Sequence, residues 1–129
     1  MLLIKTTIKP SLIGGFGLFS EEYAPKGTRI WKNGTDSELI LTQVEFEFRS
    51  SYMKDFIGHY GYFDRREHRW KLPLDNSRFM NHSDKPNLGQ DEEGNNYALE
   101  DIFPGDELCC DYREFEPEDS RPFLKKKNN

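Results

Sequence analysis

Two stretches of the sequence decide the fold: RFMNHSDKPN at residues 78–87 and ELCCDY at residues 107–112. The first is too polar and too closely punctuated for an ordinary strand or helix. Pro86 lacks a backbone donor and pushes Lys85 away from helical geometry, so a rigid turn that presents polar groups is predicted. The second is typical of a short apolar strand that ends in a tyrosine. We predict that the two stretches meet in space and form one active site.

The composition predicts a single domain with an acidic surface. The chain has 129 residues, 35% of them hydrophobic and 14% aromatic, and a formal net charge of −5. A chain of this length buries roughly two-thirds of its unfolded surface. The negative charge argues against a nucleic-acid binder that depends on a basic surface. It suits a basic partner, such as a lysine-rich peptide.

Cysteine usage and the N-terminus predict a reducing, cytoplasmic location. Cys109 and Cys110 are the only cysteines, and neighbours on a strand point to opposite faces, so a bridge between them would be strained. With three scattered histidines they cannot form a four-ligand zinc site, and no metal is predicted. The apolar run at residues 1–4 is too short for a signal or a membrane helix, so no membrane partner is expected.

Short alternating or apolar runs between turn residues predict a mainly β fold. The predicted strands are residues 2–9, 16–19, 28–32, 60–63, 70–72, 88–91, 96–99 and 107–110. Loops and turns fall at Pro, Gly and Asn between them. No internal repeat is present, so many short strands with irregular connections are expected.

One helix is predicted over residues 43–54, ending near Gly58. Thr42 with Glu45 three residues later forms a capping box. Three apolar residues then recur at helical spacing: Val44, Phe48 and Tyr52. This spacing places them on one face of the helix.

Taken alone, each candidate motif has an ordinary structural explanation. Residues 14–17, GGFG, could cradle a ligand, but a hairpin turn is the commoner role of such a run. His82 alone is typical of a structural histidine, and Tyr112 of a half-buried strand tyrosine. The acidic run over residues 114–119 is typical of a solvated face.

In combination, the motifs resemble the SET-domain protein lysine methyltransferases. The similarity lies in four segments that occur in the family's order: residues 15–19 (GFGLF), 24–30 (APKGTRI), 78–87 and 98–112. The last two match the Arg-Phe-x-Asn-His-x-x-x-Pro-Asn motif and the run that ends in Asp-Tyr. The resemblance implies small curved sheets around a knot-like crossing, in which the C-terminal segment passes under the loop that carries Asn81 and His82. Residues 31–69 are not diagnostic.

The resemblance implies S-adenosylmethionine as cofactor, with S-adenosylhomocysteine as product. Asn81 and His82 would contact the adenine and amino ends, partly through backbone groups. The backbone at residues 15–17 would hold the methionine end, and Arg78 would brace this wall. The implied cofactor-binding set is Gly15, Phe16, Gly17, Tyr60, Arg78, Asn81 and His82.

The reaction implied is in-line transfer of a methyl group to a neutral lysine amine, with Tyr112 as the catalytic residue. Either Tyr60 or Tyr62 would place a ring against the cofactor. The implied substrate channel is formed by Cys110, Tyr112 and Phe115. Many family members carry an aromatic residue at the position of Cys110. A thiol leaves more room there, which predicts that dimethylation or trimethylation is sterically possible.

The cysteine-rich zinc segments that flank many family members are missing, as in the minimal viral and bacterial SET proteins. The missing wall must come from elsewhere, and the candidates are Phe115, Pro122 and Phe123, or a second subunit in a homodimer. We therefore predict a SET core at residues 1–112. Residues 113–129 form a C-terminal segment that covers the site and ends in a frayed basic tail.

Two hypotheses for function follow. The first is a protein-lysine N-methyltransferase that acts on a lysine-containing protein, with histone-like proteins among the candidates, in the cytoplasm, or in a host nucleus if the owner is viral or secretes it. The alternative is a SET-fold binding module that has lost catalysis. Retention of Tyr112, Asn81 and His82 favours the first.

Overall fold

Short strands dominate the structure, a computed structural model that describes residues 1–34, 36–117, 120, 121, 123 and 124. The strands are β1 (Thr6–Pro10), β2 (Phe16–Ser20), β3 (Arg29–Trp31), β4 (Glu38–Leu41), β5 (Tyr62–Asp64), β6 (Arg69–Pro73), β7 (Asn81–His82), β8 (Leu88–Gln90), β9 (Asn96–Ala98) and β10 (Cys109–Cys110). The helices are α1 (Gln43–Glu47) and α2 (Ser51–Tyr60), with 3-10 turns at Asn76–Phe79 and Tyr112–Glu114. The predicted mainly β class is confirmed.

The strands form small separate sheets rather than one large one. β1 pairs with β2, β9 lies between β3 and β8, and β6 lies between β4 and β5, all antiparallel. The main core lies among these sheets and includes Leu18, Ile30, Leu88, Ile102 and Leu108. Burial of such side chains supplies most of the driving force for folding. The predicted first strand begins later than expected, at Thr6, and Leu2 forms an isolated bridge with Trp31.

β7 and β10 form a parallel pair, here called the crossing, with Asn81 opposite Cys109 and His82 opposite Cys110. The side chain of Asn87 holds the crossing from both sides. Its Nδ2 donates to the carbonyl of Glu107 (2.8 Å), and its Oδ1 accepts from the amide of Cys109 (2.9 Å). The two motif-bearing stretches therefore lie side by side, as the sequence predicts.

The helical region differs from the prediction of one helix. Thr42 does cap the first helix, since its hydroxyl accepts from the Glu45 amide at 3.1 Å. Ser50 then caps a second helix by accepting from the Met53 amide (3.2 Å), and this competing cap splits the predicted segment. The second helix continues past Gly58 to Tyr60.

The predicted apolar face of the helix is also wrong, because its three residues are exposed: Val44, Phe48 and Tyr52. The helices instead bury Phe46 and Ile57 in a small cluster against β4 and β6. Within the described residues, the helices all fall short of the length and hydrophobicity that a bilayer-spanning segment requires.

Candidate active site

Two adjoining cavities flank the crossing. The larger, of about 610 Å³, is lined by the glycine-rich loop before β2, the 3-10 turn before β7, and β7 itself. The smaller, of about 70 Å³, lies against β5, β10 and the C-terminal segment. Residues that line both cavities are His59, Tyr60, Arg78, Met80, Tyr112 and Arg121. The side chain of Tyr112 therefore lies at their junction.

Tyr112 is fixed at this junction through its backbone and its hydroxyl. Its amide donates to Nδ1 of His82 (3.1 Å), and its hydroxyl donates to the carbonyl of Met80. Burial raises the pKa of the Tyr112 phenol far above its usual range, so the group stays protonated at physiological pH. Because its proton is bonded to Met80, the phenolic oxygen keeps lone pairs that can accept a hydrogen bond.

His82 acts on Tyr112 from the neighbouring strand. Since Nδ1 accepts from the Tyr112 amide, the neutral ring carries its proton on Nε2, which lies 3.2 Å from Oδ1 of Asp84. Arg113 joins that carboxylate to Asp111, at 2.6 Å and 2.8 Å respectively. This network holds the residue before Tyr112 and thereby fixes where the phenol points.

Six of the seven predicted cofactor-binding residues line the larger cavity: Gly15, Phe16, Tyr60, Arg78, Asn81 and His82. The Asn81 side chain is already engaged, because its Nδ2 donates to the carbonyl of Phe16 (3.1 Å) and to Oε2 of Glu107 (2.9 Å). It ties the glycine-rich loop to the end of the 107–112 segment. The two protons of the Asn81 Nδ2 are therefore used inside the protein, whereas its Oδ1 takes part in neither bond.

Gly17, the seventh predicted residue, does not line either cavity. It lies on β2 where the Glu107 carboxylate approaches the backbone, and a Cβ at this position would meet Oε2 of Glu107 at 2.6 Å. Glu107 also accepts from the hydroxyl of Ser11 at 2.6 Å. Because Gly17 has no side chain, the Glu107 carboxylate can lie against its backbone. Glu107 in turn binds both Ser11 in the loop and Asn81, a role that the sequence analysis did not predict.

Of the alternatives Tyr60 and Tyr62, only Tyr60 reaches the larger cavity. Arg78 lies against the Tyr60 ring, with its guanidinium carbon 5.9 Å from the ring centre. Its Nε is buried and has no partner among the described residues. Tyr62 lines the smaller cavity instead, and its hydroxyl donates to the buried Glu38 (2.8 Å).

All three predicted channel residues line the smaller cavity: Cys110, Tyr112 and Phe115. Burial raises the pKa of the Cys110 thiol well above its usual range, so this wall is uncharged. The Phe115 ring packs on Tyr112, with centres 5.6 Å apart, and edge-on against Tyr62 at 4.9 Å. The smaller cavity is thus a narrow space that ends at the phenol, with aromatic rings on one side and the charged residues Arg78, Glu116 and Arg121 also in its lining.

The C-terminal segment reaches the site within the same chain. Phe123 lines the larger cavity, and its ring centre lies 5.5 Å from that of His82. Pro122, the other predicted wall residue, and the basic tail at residues 125–129 lie outside the described residues. The boundary at residue 112 stays a prediction. Sequence reasoning missed Arg121, because nothing in its local pattern marks it.

Within the ranges that the structure describes, no group of three or more His, Cys, Asp or Glu side chains is arranged to hold a metal ion. The expectation that the chemistry needs no metal stays a prediction.

Comparison with known proteins gives the family. The model of the SET domain matches residues 15–113, most of the chain, and the protein therefore belongs to the SET domain family. Members of this family are generally lysine methyltransferases. The crystal structure of a candidate histone methyltransferase from Plasmodium falciparum is similar, with 25% identity and a TM-score of 0.57 over 86% of this chain and 95% of that one. A search of curated protein sequences gives no match.

Proposed function

We propose that the protein is an S-adenosylmethionine-dependent protein-lysine N-methyltransferase. The observation that carries the proposal is the position of Tyr112, whose side chain lies between a large cavity and a narrow one. A methyl transferase of this kind must bring a bulky donor and a slender amine together from opposite sides. The coarser assignment, to the lysine methyltransferase family, rests on the SET domain match.

The larger cavity suits the cofactor in size and in chemistry. Its volume of about 610 Å³ lies within the range of roughly 300–1,000 Å³ that is usual for small-molecule sites. The unpartnered Nε of Arg78 on its wall is a donor that a ligand carboxylate would satisfy. Gly14 and Gly15 have positive φ values of 154° and 54°, and space for a Cβ is open at both. They leave their backbone accessible to a ligand.

When bound, S-adenosylmethionine supplies an electrophilic methyl group on a positively charged sulfur. The chain has to deliver a neutral amine to it, although a free lysine with a pKa of about 10.4 is mostly protonated at pH 7. The walls of Cys110 and Phe115 exclude water and disfavour the ammonium form. The oxygen of Tyr112 accepts a hydrogen bond from the amine and aligns it. Alignment of this kind supplies most of the acceleration.

The Met80 carbonyl strengthens this arrangement. It accepts a hydrogen bond from the Tyr112 hydroxyl, so the hydroxyl cannot rotate freely. Met80 also lines both cavities. Carbonyl oxygens at such a point can also accept weak C–H hydrogen bonds from a polarised methyl group. Tyr112 therefore works as a neutral, oriented acceptor, since its raised pKa rules out a phenolate at pH 7.

The alternative, a SET-fold binding module without catalysis, predicts a different result in the following experiment. Calorimetry with S-adenosylmethionine is followed by incubation with labelled cofactor and a lysine-rich protein, such as core histones, and then with a whole lysate. We expect cofactor binding and labelled lysine. Cofactor binding with no labelled protein in any sample would favour the binding module, and no cofactor binding would contradict the methyltransferase proposal. The cytoplasmic location and the homodimer stay predictions.

A further inference from the structure

Arg121, in the C-terminal segment, makes more polar contacts than a surface arginine needs. Its Nε donates to Oε2 of Glu116 (2.8 Å) and its Nη2 to Oε1 (2.9 Å), a bidentate pair. The same Nη2 donates to the carbonyl of Gly61, at the end of α2, at 2.8 Å. Glu116 is only 2% exposed, and although its Oε2 also accepts from the Ser120 hydroxyl (2.9 Å), Arg121 is the cation that balances its charge. The arginine thus connects the C-terminal segment to the wall of the site.

The guanidinium also lies against the catalytic centre. Its carbon is 5.3 Å from the centre of the Tyr112 ring, and Arg121 lines both cavities. Glu116 lines the smaller cavity, where the substrate amine is proposed to enter. Without Arg121, a buried carboxylate would therefore stand uncompensated beside the amine. A nearby negative charge stabilises an ammonium ion, which is not a nucleophile.

We propose, on the basis of the proposed function, that Arg121 is a positioning residue which neutralises Glu116 and keeps positive charge against the Tyr112 ring, so that the amine in the smaller cavity is held in its neutral, reactive form. Arg121 touches neither the reacting atoms nor the methyl group. Its effect reaches the amine through the electric field and through the orientation of Tyr112.

Arg121 keeps its own charge in this position. Burial works against the ionised guanidinium, but the bonds and the charge of Glu116 outweigh it and keep the pKa of Arg121 above its usual range. Other charged or titratable groups also surround Tyr112. These are Cys109 and Cys110 on β10, His82 on β7, Arg78 and His59 in the cavity walls, and Glu116 beside Arg121.

The first test measures the electrostatic effect of Arg121 and Glu116 on the Tyr112 phenol, without substrate or cofactor. Tyr112 is replaced by a fluorinated tyrosine, whose more acidic phenol titrates in an accessible range, and its pKa is followed by fluorine NMR. We expect Arg121→Met to raise this pKa by about one unit and Glu116→Gln to lower it by a similar amount. The double variant should return close to the parent. Equal values in all four proteins would overturn the proposal.

A matched control separates the field from simple fastening of the segment. Arg66 also holds the C-terminal segment, because it donates to the carbonyl of Glu114, but it does not line either of the two cavities. Arg66→Met should lower the melting temperature without moving the phenol pKa. If Arg66→Met and Arg121→Met shifted the pKa equally, Arg121 would be a structural clasp and the proposal would be wrong.

The link to catalysis is tested by the pH dependence of kcat, which reports groups in the loaded complex. On a lysine-containing protein that the wild type methylates, we expect the acid limb to move to higher pH in Arg121→Met and to lower pH in Glu116→Gln, by about one unit each. Arg121→Lys keeps the charge and should keep the limb in place with a lower kcat. If the wild type is active and the acid limb of kcat stays in place in both variants, this inference alone is overturned. If the wild type shows no methyl transfer, the proposed function is overturned.

Discussion

The crossing of β7 and β10 and the helical region of α1 and α2 obey different rules. At the crossing, polar side chains have specific partners, as when Asn87 bonds both Glu107 and Cys109. In the helical region, apolar residues at regular spacing remain in solvent, and Phe48 is 86% exposed. The difference teaches that precise polar contacts, rather than apolar periodicity, define the functional part of this fold. Substitutions should therefore affect methyl transfer strongly in the first region and weakly in the second.

Removal of the Tyr112 hydroxyl should have the largest effect. We expect Tyr112→Phe to lower kcat by at least about a hundredfold, because the amine loses the phenolic oxygen that aligns it at the junction. Cofactor affinity should change by less than about threefold, since the ring remains in place. Labelled methyl transfer and calorimetry measure the two quantities. Tyr97→Phe, at an exposed position of the central strand β9, is the matched control, and wild-type turnover in Tyr112→Phe would break the comparison.

Loss of the Asn81 side chain should come next, with an effect on binding rather than on chemistry. Asn81→Ala removes the bonds to Phe16 and Glu107, and leaves the Glu107 carboxylate without one of its donors. We expect the dissociation constant of S-adenosylmethionine to rise about tenfold, or about 1.4 kcal/mol. Calorimetry measures it. An unchanged affinity would mean that the glycine-rich loop keeps its shape without Asn81.

A change at Cys110 should alter the product more than the rate. The wild type is expected to form dimethyl-lysine or trimethyl-lysine, because a thiol leaves room beside Tyr112. Cys110→Phe should shift the product toward monomethyl-lysine, as seen by mass spectrometry. Overpacking of this buried site costs about 1–3 kcal/mol, so a thermal melt accompanies the assay. Strict monomethylation by the wild type, with Cys110→Ala unchanged, would contradict the steric interpretation.

The smallest effect is expected at the exposed helical face. Phe48→Ser should change the free energy of unfolding by less than about 0.5 kcal/mol and leave kcat within about twofold. Its neighbour Phe46 is the contrast, since it is buried and stacks on Trp70 with centres 4.1 Å apart. Phe46→Ala should cost about 3 kcal/mol. Chemical denaturation measures both, and a large loss of kcat in Phe48→Ser would give the helices a role in the site.

The crossing was predictable because its residues carry strong local constraints. Pro86 and the polar residues around it disfavour regular structure, and the apolar run within residues 107–112 favours a short strand. The motif order then implied that the two meet. That contact brings Asn81, His82, Cys110 and Tyr112 together, whereas the other candidates for the cofactor site and the channel came from the resemblance to the SET family.

The remaining features depend on partners far away in the sequence. Gly17 was expected to contact a ligand, but its lack of a side chain makes room for Glu107, which is 90 residues away in the sequence. The sequence analysis did not predict this role of Glu107. The proposed role of Arg121 depends on its contacts with Glu116, Gly61 and the Tyr112 ring. The prediction of the helices was wrong although the local spacing of apolar residues was clear. The cap at Ser50 divides the segment, and the packing of Phe46 selects a different buried face.

The central claim is that the Tyr112 phenol separates the cofactor from the lysine, and a crystal structure with S-adenosylhomocysteine tests it most directly. We predict that this product fills the larger cavity, with its sulfur facing the Tyr112 hydroxyl across the junction and the narrow cavity left clear for the amine. Density for the product in the narrow cavity, or at any site that Tyr112 does not line, would contradict the claim.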